Sequence, residues 1–203
     1  MTAAPASSTV IFDFDGTLFN LPVDWTTLRA ELGVAPDAKI GDELQRWLDE
    51  GDDEHLGMVS KHELEAVRAG GFTAGSPAGF TALKGRCNLA VLTRNTRDSV
   101  FAALGEHAEG VLVVGREDVR RLKPDPEGVH TILAHFGADP ATAVLVGDTY
   151  HDVRSARDAG LLSVIVRNPL LKYAPEGADF YLDDLTTDVL DLVGPLPSNR
   201  QSD

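Results

Sequence analysis

Val10-Ile11-Phe12-Asp13-Phe14-Asp15-Gly16-Thr17-Leu18 is the stretch on which the reading of this chain turns. The apolar run Val10, Ile11 and Phe12 reads as a short buried strand. It runs straight into two carboxylates two residues apart, then Gly16 and Thr17. In extended backbone, residues i and i+2 project to the same side, so Asp13 and Asp15 can face one site just past the strand's carboxyl end. Gly16 lets the backbone turn sharply there. Two close carboxylates repel each other, which points to a shared proton or a cation. A hard cation with oxygen ligands, Mg2+ above all, fits best. A strand ending in a solvated Asp-Gly turn would also produce these residues, so the rest of the chain has to decide.

Downstream of Leu18 the pattern becomes helical. Asp24 stands as a cap for a helix through Trp25, Leu28 and Leu32 that stops at Gly33. A second helix is expected over Ile40 to Glu50, with Leu44, Trp47 and Leu48 on one face and Gly51 as its stop. A third covers Glu54 to Ala69, striped by Leu56, Val59, Leu64 and Val67. Gly70, Gly71, Gly75 and Pro77 then read as a flexible, hinge-like stretch. Residues 21–75 therefore form a small all-helical insertion, and residues 1–20 and 76–203 the main domain.

From Pro77 onward, strands alternate with helices. The strands are Asn88–Leu92, Gly110–Val114, Ala143–Val146, Leu161–Val166 and a short Ala178–Leu182. The helices are Gly79–Lys84, Thr96–Leu104, Glu127–Phe136, Asp152–Ala159 and Leu185–Leu192. Nearly all-apolar strands alternating with helices imply an α/β fold, a parallel sheet covered on both faces. Met1–Thr9 and Pro195–Asp203 read as frayed ends.

Composition narrows the function classes. The 203 residues suffice for one domain plus a small insertion. A net charge of −14 disfavours nucleic acid polymers and anionic membranes as partners. Any anionic substrate must be held by a local cluster of cations. Cys87 is the only cysteine, so no intramolecular disulfide can form, which suits a cytoplasmic protein. Its place before an apolar strand reads as a buried, inert thiol. The beginning of the chain lacks a basic region followed by an apolar one, and no apolar run is long enough to span a membrane. His55 and His62, seven apart on one predicted helix, read as edge residues and not as a metal pair. The oligomeric state, monomer or dimer, is not written in the composition.

In an open parallel sheet, ligands sit outside the carboxyl ends of the strands. Reading each strand at its last residue gives Asp13 and Asp15, then Thr93 with Arg94 and Asn95, then Asp148 with Asp152 four residues on. The loop after the third strand offers Lys123. Singly, each has an ordinary explanation: Thr93 as a helix cap, Lys123 as a surface lysine, Asp148 and Asp152 as a turn residue and a helix-start acid. Four acids, a hydroxyl and a cation at one edge, in this order, do not read as coincidence.

These residues resemble the motifs of the haloacid dehalogenase-like superfamily. Asp13-Phe14-Asp15-Gly16-Thr17 looks like its first motif, Thr93 stands at the second, and Lys123 before Pro124 matches the third. Gly147-Asp148-Thr149-Tyr150-His151-Asp152 matches the fourth. The resemblance implies a doubly wound Rossmann-like core with a helical cap inserted after the first motif, as in the phosphoglycolate phosphatase-like branch. It further implies that Asp13 is a nucleophile forming an aspartyl-phosphate, and that Asp15 is the acid and base. By resemblance, Mg2+ is held by the Asp13 carboxylate, the Asp15 backbone carbonyl and Asp148, with Asp152 nearby through water. Thr93 and Lys123 would hold the transferring oxygens. A helix-start role suits Arg94 and Asn95 as well as a place at the phosphate.

Within that family Asp15 separates branches. Dehalogenases lack an acid there, because halide leaves without a proton. A phosphonate hydrolase needs an imine-forming cap lysine, and Lys39 and Lys61 lack an apolar setting. A sugar-phosphate mutase shares the core residues and stays open, as does a non-catalytic phosphate-binding or regulatory protein. The insertion carries five basic and twelve acidic residues, a surface that disfavours a second phosphate or a polyanionic chain unless one arginine is well placed. The reading is therefore an Mg2+-dependent phosphatase for a small phosphorylated metabolite.

Overall fold

The computed structural model describes residues 9–171 and 174–186. The chain ends, and the helix expected over Leu185–Leu192, lie largely outside those residues. Strand β1, Thr9–Phe12, is wholly buried, and β2, Phe19–Asn20, follows directly. Helices α1 (Trp25–Glu31), α2 (Ile40–Glu50) and α3 (Asp53–Val67) come next, then β3 (Gly71–Phe72). After α4 (Ser76–Leu83) the alternation begins: β4 (Asn88–Leu92), α5 (Arg97–Leu104), β5 (Leu112–Val114) and α6 (Glu127–Phe136). It ends with β6 (Ala143–Gly147), α7 (Tyr150–Ala159), β7 (Leu162–Val166) and β8 (Phe180–Leu182).

Six strands form one parallel sheet in the order β5-β4-β1-β6-β7-β8. Ile11 pairs with Ala90 on one side and Leu145 on the other. The chain winds outward from β1 through β4 to β5, then returns to the far side of β1 with β6. The order reverses at β1, which places the sheet's switch point at the carboxyl end of that strand. Right-handed crossovers put α4 and α5 on one face and α6 and α7 on the other. The all-buried strands β1 and β6 show why these segments read as unbroken apolar runs. Phe12 meets Phe80 of α4 edge-on, with ring centroids 5.5 Å apart.

Local signals place the helix ends. The Asp24 carboxylate accepts from the Thr26 and Thr27 amides at 3.1 and 3.0 Å and starts α1. Gly51 and Gly137 take left-handed conformations after α2 and α6. Thr96, not Thr93, caps α5, with its hydroxyl accepting from the Ser99 amide.

The glycine-rich stretch departs from expectation. Gly71–Phe72 is not slack chain; it pairs antiparallel with Phe19–Asn20. Thr73 and Ser76 donate their hydroxyls to the Thr17 and Leu18 carbonyls at 2.5 and 2.6 Å. Both strands of the helical insertion thus leave the core through one hydrogen-bonded ribbon. A Cβ on Gly70 would press into the Phe19 ring and the Asn20 carbonyl. Gly70 therefore serves close approach, not freedom. In a slack linker, Gly70→Ala would be neutral or slightly stabilising. In this ribbon it is expected to cost roughly 1–3 kcal/mol in urea unfolding. Gly71→Ala, whose Cβ meets open space, should stay within about 0.5 kcal/mol of the parent protein.

Candidate active site

The site begins where β1 ends. The Asp13 amide donates to the Val146 carbonyl at 2.8 Å and carries the β1–β6 pairing one residue further. The chain then coils. The Phe14 carbonyl accepts from the Leu18 and Phe19 amides at 2.9 and 3.0 Å, and Gly16 turns with φ of 83°. A side chain at Gly16 would collide with the Asp148 carboxylate, so glycine is needed for both the turn and the neighbour.

Asp13 and Asp15 line the same cavity, as their spacing predicts. Lys123 stands at its floor. Its ammonium lies 2.7 Å from Asp13 Oδ1 and 2.6 Å from Asp152 Oδ1, and it is only 5% exposed. Asp152 is held from the other side, where Oδ2 accepts from the Thr149 amide at 3.0 Å and its hydroxyl at 2.7 Å. Asp148 Oδ2 accepts from Asn168 at 2.8 Å, while Asp148 Oδ1 is buried with no hydrogen-bond partner among the described residues. Among the described residues, Asp13, Asp148 and Asp152 bring carboxylate oxygens within 4.8 Å of one another. The Asp15 carboxylate is outside that group, with Oδ1 accepting from the Leu21 amide at 2.8 Å.

The other wall comes from the end of β4. The Thr93 hydroxyl donates to Asn95 Oδ1 at 2.9 Å and accepts from the Asn95 amide at 3.1 Å. Arg94 lines the cavity and reaches across to the Gly41 carbonyl at the start of α2, at 2.6 Å. Among the described residues its Nε is buried without a partner, as is His151 Nδ1 nearby. Trp25, Arg29, Ile40 and Leu44 of the insertion complete the cavity, about 290 Å³ in volume. Every sequence-predicted site residue thus lies in or beside one cluster; Arg94 and Asn95 precede the helix, so their side chains are available to the cavity and its wall.

The electrostatics follow from burial. Burial pushes the Asp13 carboxyl well above the usual carboxylate range, and Asp152 and Asp148 add to the rise while Lys123 opposes it. Burial likewise lifts Asp15 to about 7, against the Leu21 amide that stabilises its anion. Asp148 is lifted to about 6, again mainly by burial. Burial alone would push Lys123 down, but Asp13 and Asp152 outweigh it and hold the ammonium protonated. Three carboxylates around one ammonium leave excess negative charge, and among the described residues Asp148 Oδ1 has no partner. That donor set fits a hard divalent cation.

Two residues escaped the sequence reading. Glu63 of α3 is 1% exposed and Arg116, just past β5, is 2% exposed; they pair at 2.7 Å. Glu63 also accepts from Asn95 Nδ2 at 2.9 Å. The available signal was an acid on the apolar stripe of α3, between Val59 and Ala66, which are both buried. Gln45 of α2 is a further tie: its amide donates to the Arg120 carbonyl and accepts from the Leu122 amide, both at 2.9 Å. It braces the loop that carries Lys123.

Comparison with known proteins agrees with this geometry. Residues 72–166 match the family model described as haloacid dehalogenase-like hydrolase. A probable phosphatase, IndB of Dickeya dadantii, is 31% identical over 187 residues, covering 76% of this chain and 79% of that protein. The chain belongs to the haloacid dehalogenase-like hydrolases. Pyrophosphatase PpaX of Bacillus velezensis is 34% identical over 115 residues, and that match spans about half of each protein, 52% of this chain and 51% of PpaX. A subfamily IA hydrolase of this superfamily from Geobacter sulfurreducens superposes with a TM-score of 0.67 at 25% identity, covering 92% of this chain and all of that one. CbbY of Rhodobacter sphaeroides, solved with phosphate, shares the fold with a TM-score of 0.72 at 19% identity, over 90% and 96% of the two chains. Among the described residues, no helix is long and apolar enough to cross a membrane.

The raised carboxyls make a pH signature. With folded-state values above the unfolded 3.8, the metal-free protein binds more protons folded than unfolded. The contribution of these groups to stability is full below about pH 4 and is lost as pH rises toward 6 to 7. Asp148→Asn removes one such group while keeping an acceptor for Asn168. In EDTA it should match the parent near pH 4 and exceed it at pH 7.5 by on the order of 1–3 kcal/mol. Urea unfolding at the two pH values checks this.

Proposed function

We propose that this chain is an Mg2+-dependent phosphatase that hydrolyses a small phosphomonoester through an aspartyl-phosphate. The observation that carries the reading is Asp13, at the end of the central strand, held 2.7 Å from the buried Lys123 ammonium and grouped with Asp148, whose Oδ1 has no partner among the described residues. Asp13, Asp148 and the backbone carbonyl of Asp15 would hold the metal. Asp152, whose two oxygens are engaged by Lys123 and Thr149, would act from behind them. When bound, the metal offsets the charge between an anionic nucleophile and an anionic phosphate.

An Asp13 oxygen attacks phosphorus and the bond to the leaving oxygen breaks. Asp15, protonated near neutral pH, gives that oxygen its proton. The Asp15 carboxylate then takes a proton from water, whose oxygen attacks the acyl phosphate and returns Asp13. Lys123, Thr93 and Arg94 would hold the transferring oxygens, and the Lys123 ammonium favours the ionised form of Asp13 against the effect of burial. Residues 21–75 act as a cap over this chemistry, supplying Trp25, Arg29 and Leu44 to the cavity wall. A cavity of about 290 Å³ suits a small metabolite and excludes a polymer. The similarity to proteins named as phosphatases and a pyrophosphatase supports this class.

The test is a panel of sugar phosphates, phosphorylated hydroxy acids, nucleoside monophosphates and inorganic pyrophosphate, with kcat/KM ranked. Hydrolysis of one small monoester above the rest is the expected outcome. Turnover only after priming by a bisphosphate would instead identify a mutase, and none at all a binding protein. Asp13→Asn should lower kcat by on the order of 10³-fold or more while leaving the fold intact. Asp15→Ala should lower kcat/KM, which reads the first step, about 10²–10⁴-fold with an alkyl phosphate and much less with p-nitrophenyl phosphate, whose leaving group needs no proton, while hydrolysis of the aspartyl-phosphate slows with both.

Metal dependence is checked separately by melting. Mg2+ at a hundred times its Kd should stabilise the parent by about 2.7 kcal/mol, and Asp148→Ala should remove most of that gain.

A further inference from the structure

Asp148 is the least secured of the three acids that gather at the site. Asp13 is held by the Lys123 ammonium, and Asp152 by Lys123 on one oxygen and Thr149 on the other. The Asp148 carboxylate makes a single hydrogen bond among the described residues, accepting from Asn168 Nδ2 at Oδ2 over 2.8 Å. Asn168 reaches that place through the sheet. Parallel pairing sets Ile165 of β7 opposite Gly147 of β6, so Val166 and Asp148, the next residues, leave their strands side by side. Asn168 follows two residues past the end of β7. The gathering of site residues at strand ends thus extends to β7, whose own last residue is apolar.

The orientation of the Asn168 side chain is set from behind. The Leu170 amide donates to its Oδ1 at 2.9 Å, and an N–H can be met only by the oxygen arm. The nitrogen arm is therefore the one turned to Asp148, where a carboxylate can only accept. A Cβ on Gly16 would strike both the Asp148 carboxylate and Asn168 Nδ2, so the three groups are in close contact. With Oδ2 engaged in this way, Asp148 Oδ1 is left without a donor among the described residues.

We infer that Asn168 is a positioning residue for the divalent cation: anchored on the Leu170 amide, it fixes the Asp148 carboxylate through Oδ2 and leaves Oδ1 as the oxygen for the metal. Hydrogen-bond partners behind a metal ligand set its orientation, and losing one weakens metal binding about 10–100-fold. This inference rests on the reading of Asp148 as a metal ligand.

The experiment is calorimetric titration of MgCl2 into the full chain, then of inorganic phosphate at saturating Mg2+, with melting in EDTA to show that each variant is folded. Asn168→Ala and Asn168→Ser both remove the donor, and the serine hydroxyl can still accept from the Leu170 amide and keep the turn. Both variants should bind Mg2+ about 10–100-fold more weakly than the parent. Phosphate at saturating Mg2+ should bind them as it binds the parent, because Thr93, Arg94 and Lys123 are untouched. Parental Mg2+ affinity in Asn168→Ser overturns the inference and leaves Asn168 a turn residue. Loss of phosphate affinity alongside that for Mg2+ overturns it as well, since it marks a general loosening of the site. So does failure of both variants to fold, which would make Asn168 scaffold alone. Asp148→Ala separates the two levels. If the parent takes up no Mg2+, or Asp148→Ala binds it as tightly as the parent, the metal-ligand reading fails and the inference with it. If Asp148→Ala loses Mg2+ while the Asn168 variants keep it, only the role of Asn168 fails.

Discussion

Three carboxylates crowded around one ammonium, out of water, form the constraint on which the rest of this structure depends. Asp13, Asp148 and Asp152 come from two neighbouring strands and the helix after the second, and Lys123 from the loop after β5. Such a group is unfavourable unless every member is held in place. The surrounding architecture reads as the means of holding it. Gly16 makes room for Asp148 and Thr149 clasps Asp152. A side chain on Gly147 would strike Asp152. Repulsion left over among the acids is an affinity in waiting for a cation, so the site gives up stability when empty and recovers it on binding.

Much of this was legible in the sequence, for reasons that can be named. The bounds of α2 at Ile40–Glu50 and of α6 at Glu127–Phe136 coincide with expectation because apolar periodicity and a left-handed glycine mark each. The central strands were legible because burial on both faces leaves unbroken apolar runs. Reading every strand at its last residue found the acids, Thr93 and Lys123, because a parallel sheet gathers those ends at one edge. The ribbon of β2 and β3 was not legible, since two-residue strands carry no periodicity and glycines suggest slack. Nor was the helix start at Ser76, where Gly75 in a left-handed turn precedes Pro77 in the first turn. Glu63 and Arg116 lie 53 residues apart, and only the docking of α3 on the core joins them.

The insertion is tied to the core at several points that all bear on the site. Gln45 braces the Lys123 loop, Arg94 reaches the Gly41 carbonyl, and Glu63 meets Arg116 and Asn95. A side chain on Gly41 would drive into the Arg94 guanidinium, so the second residue of α2 is a glycine where the two surfaces touch. Polar ties of this kind set position more than they add stability, because each group gives up water to make its contact. These ties fix where the helical segment sits against the core.

The cations that face the cavity lie deep, while the chain as a whole carries a charge of −14. An approaching anion meets a repulsive field first and an attractive one only at contact range. Dissolved salt screens the outer field over about 8–10 Å and reaches the sheltered floor far less. Encounter with anions is thus slowest in dilute buffer and quickens as ionic strength rises, the reverse of a surface that draws its ligand from afar. The fold selects for what fits at close quarters, at the expense of the speed of capture.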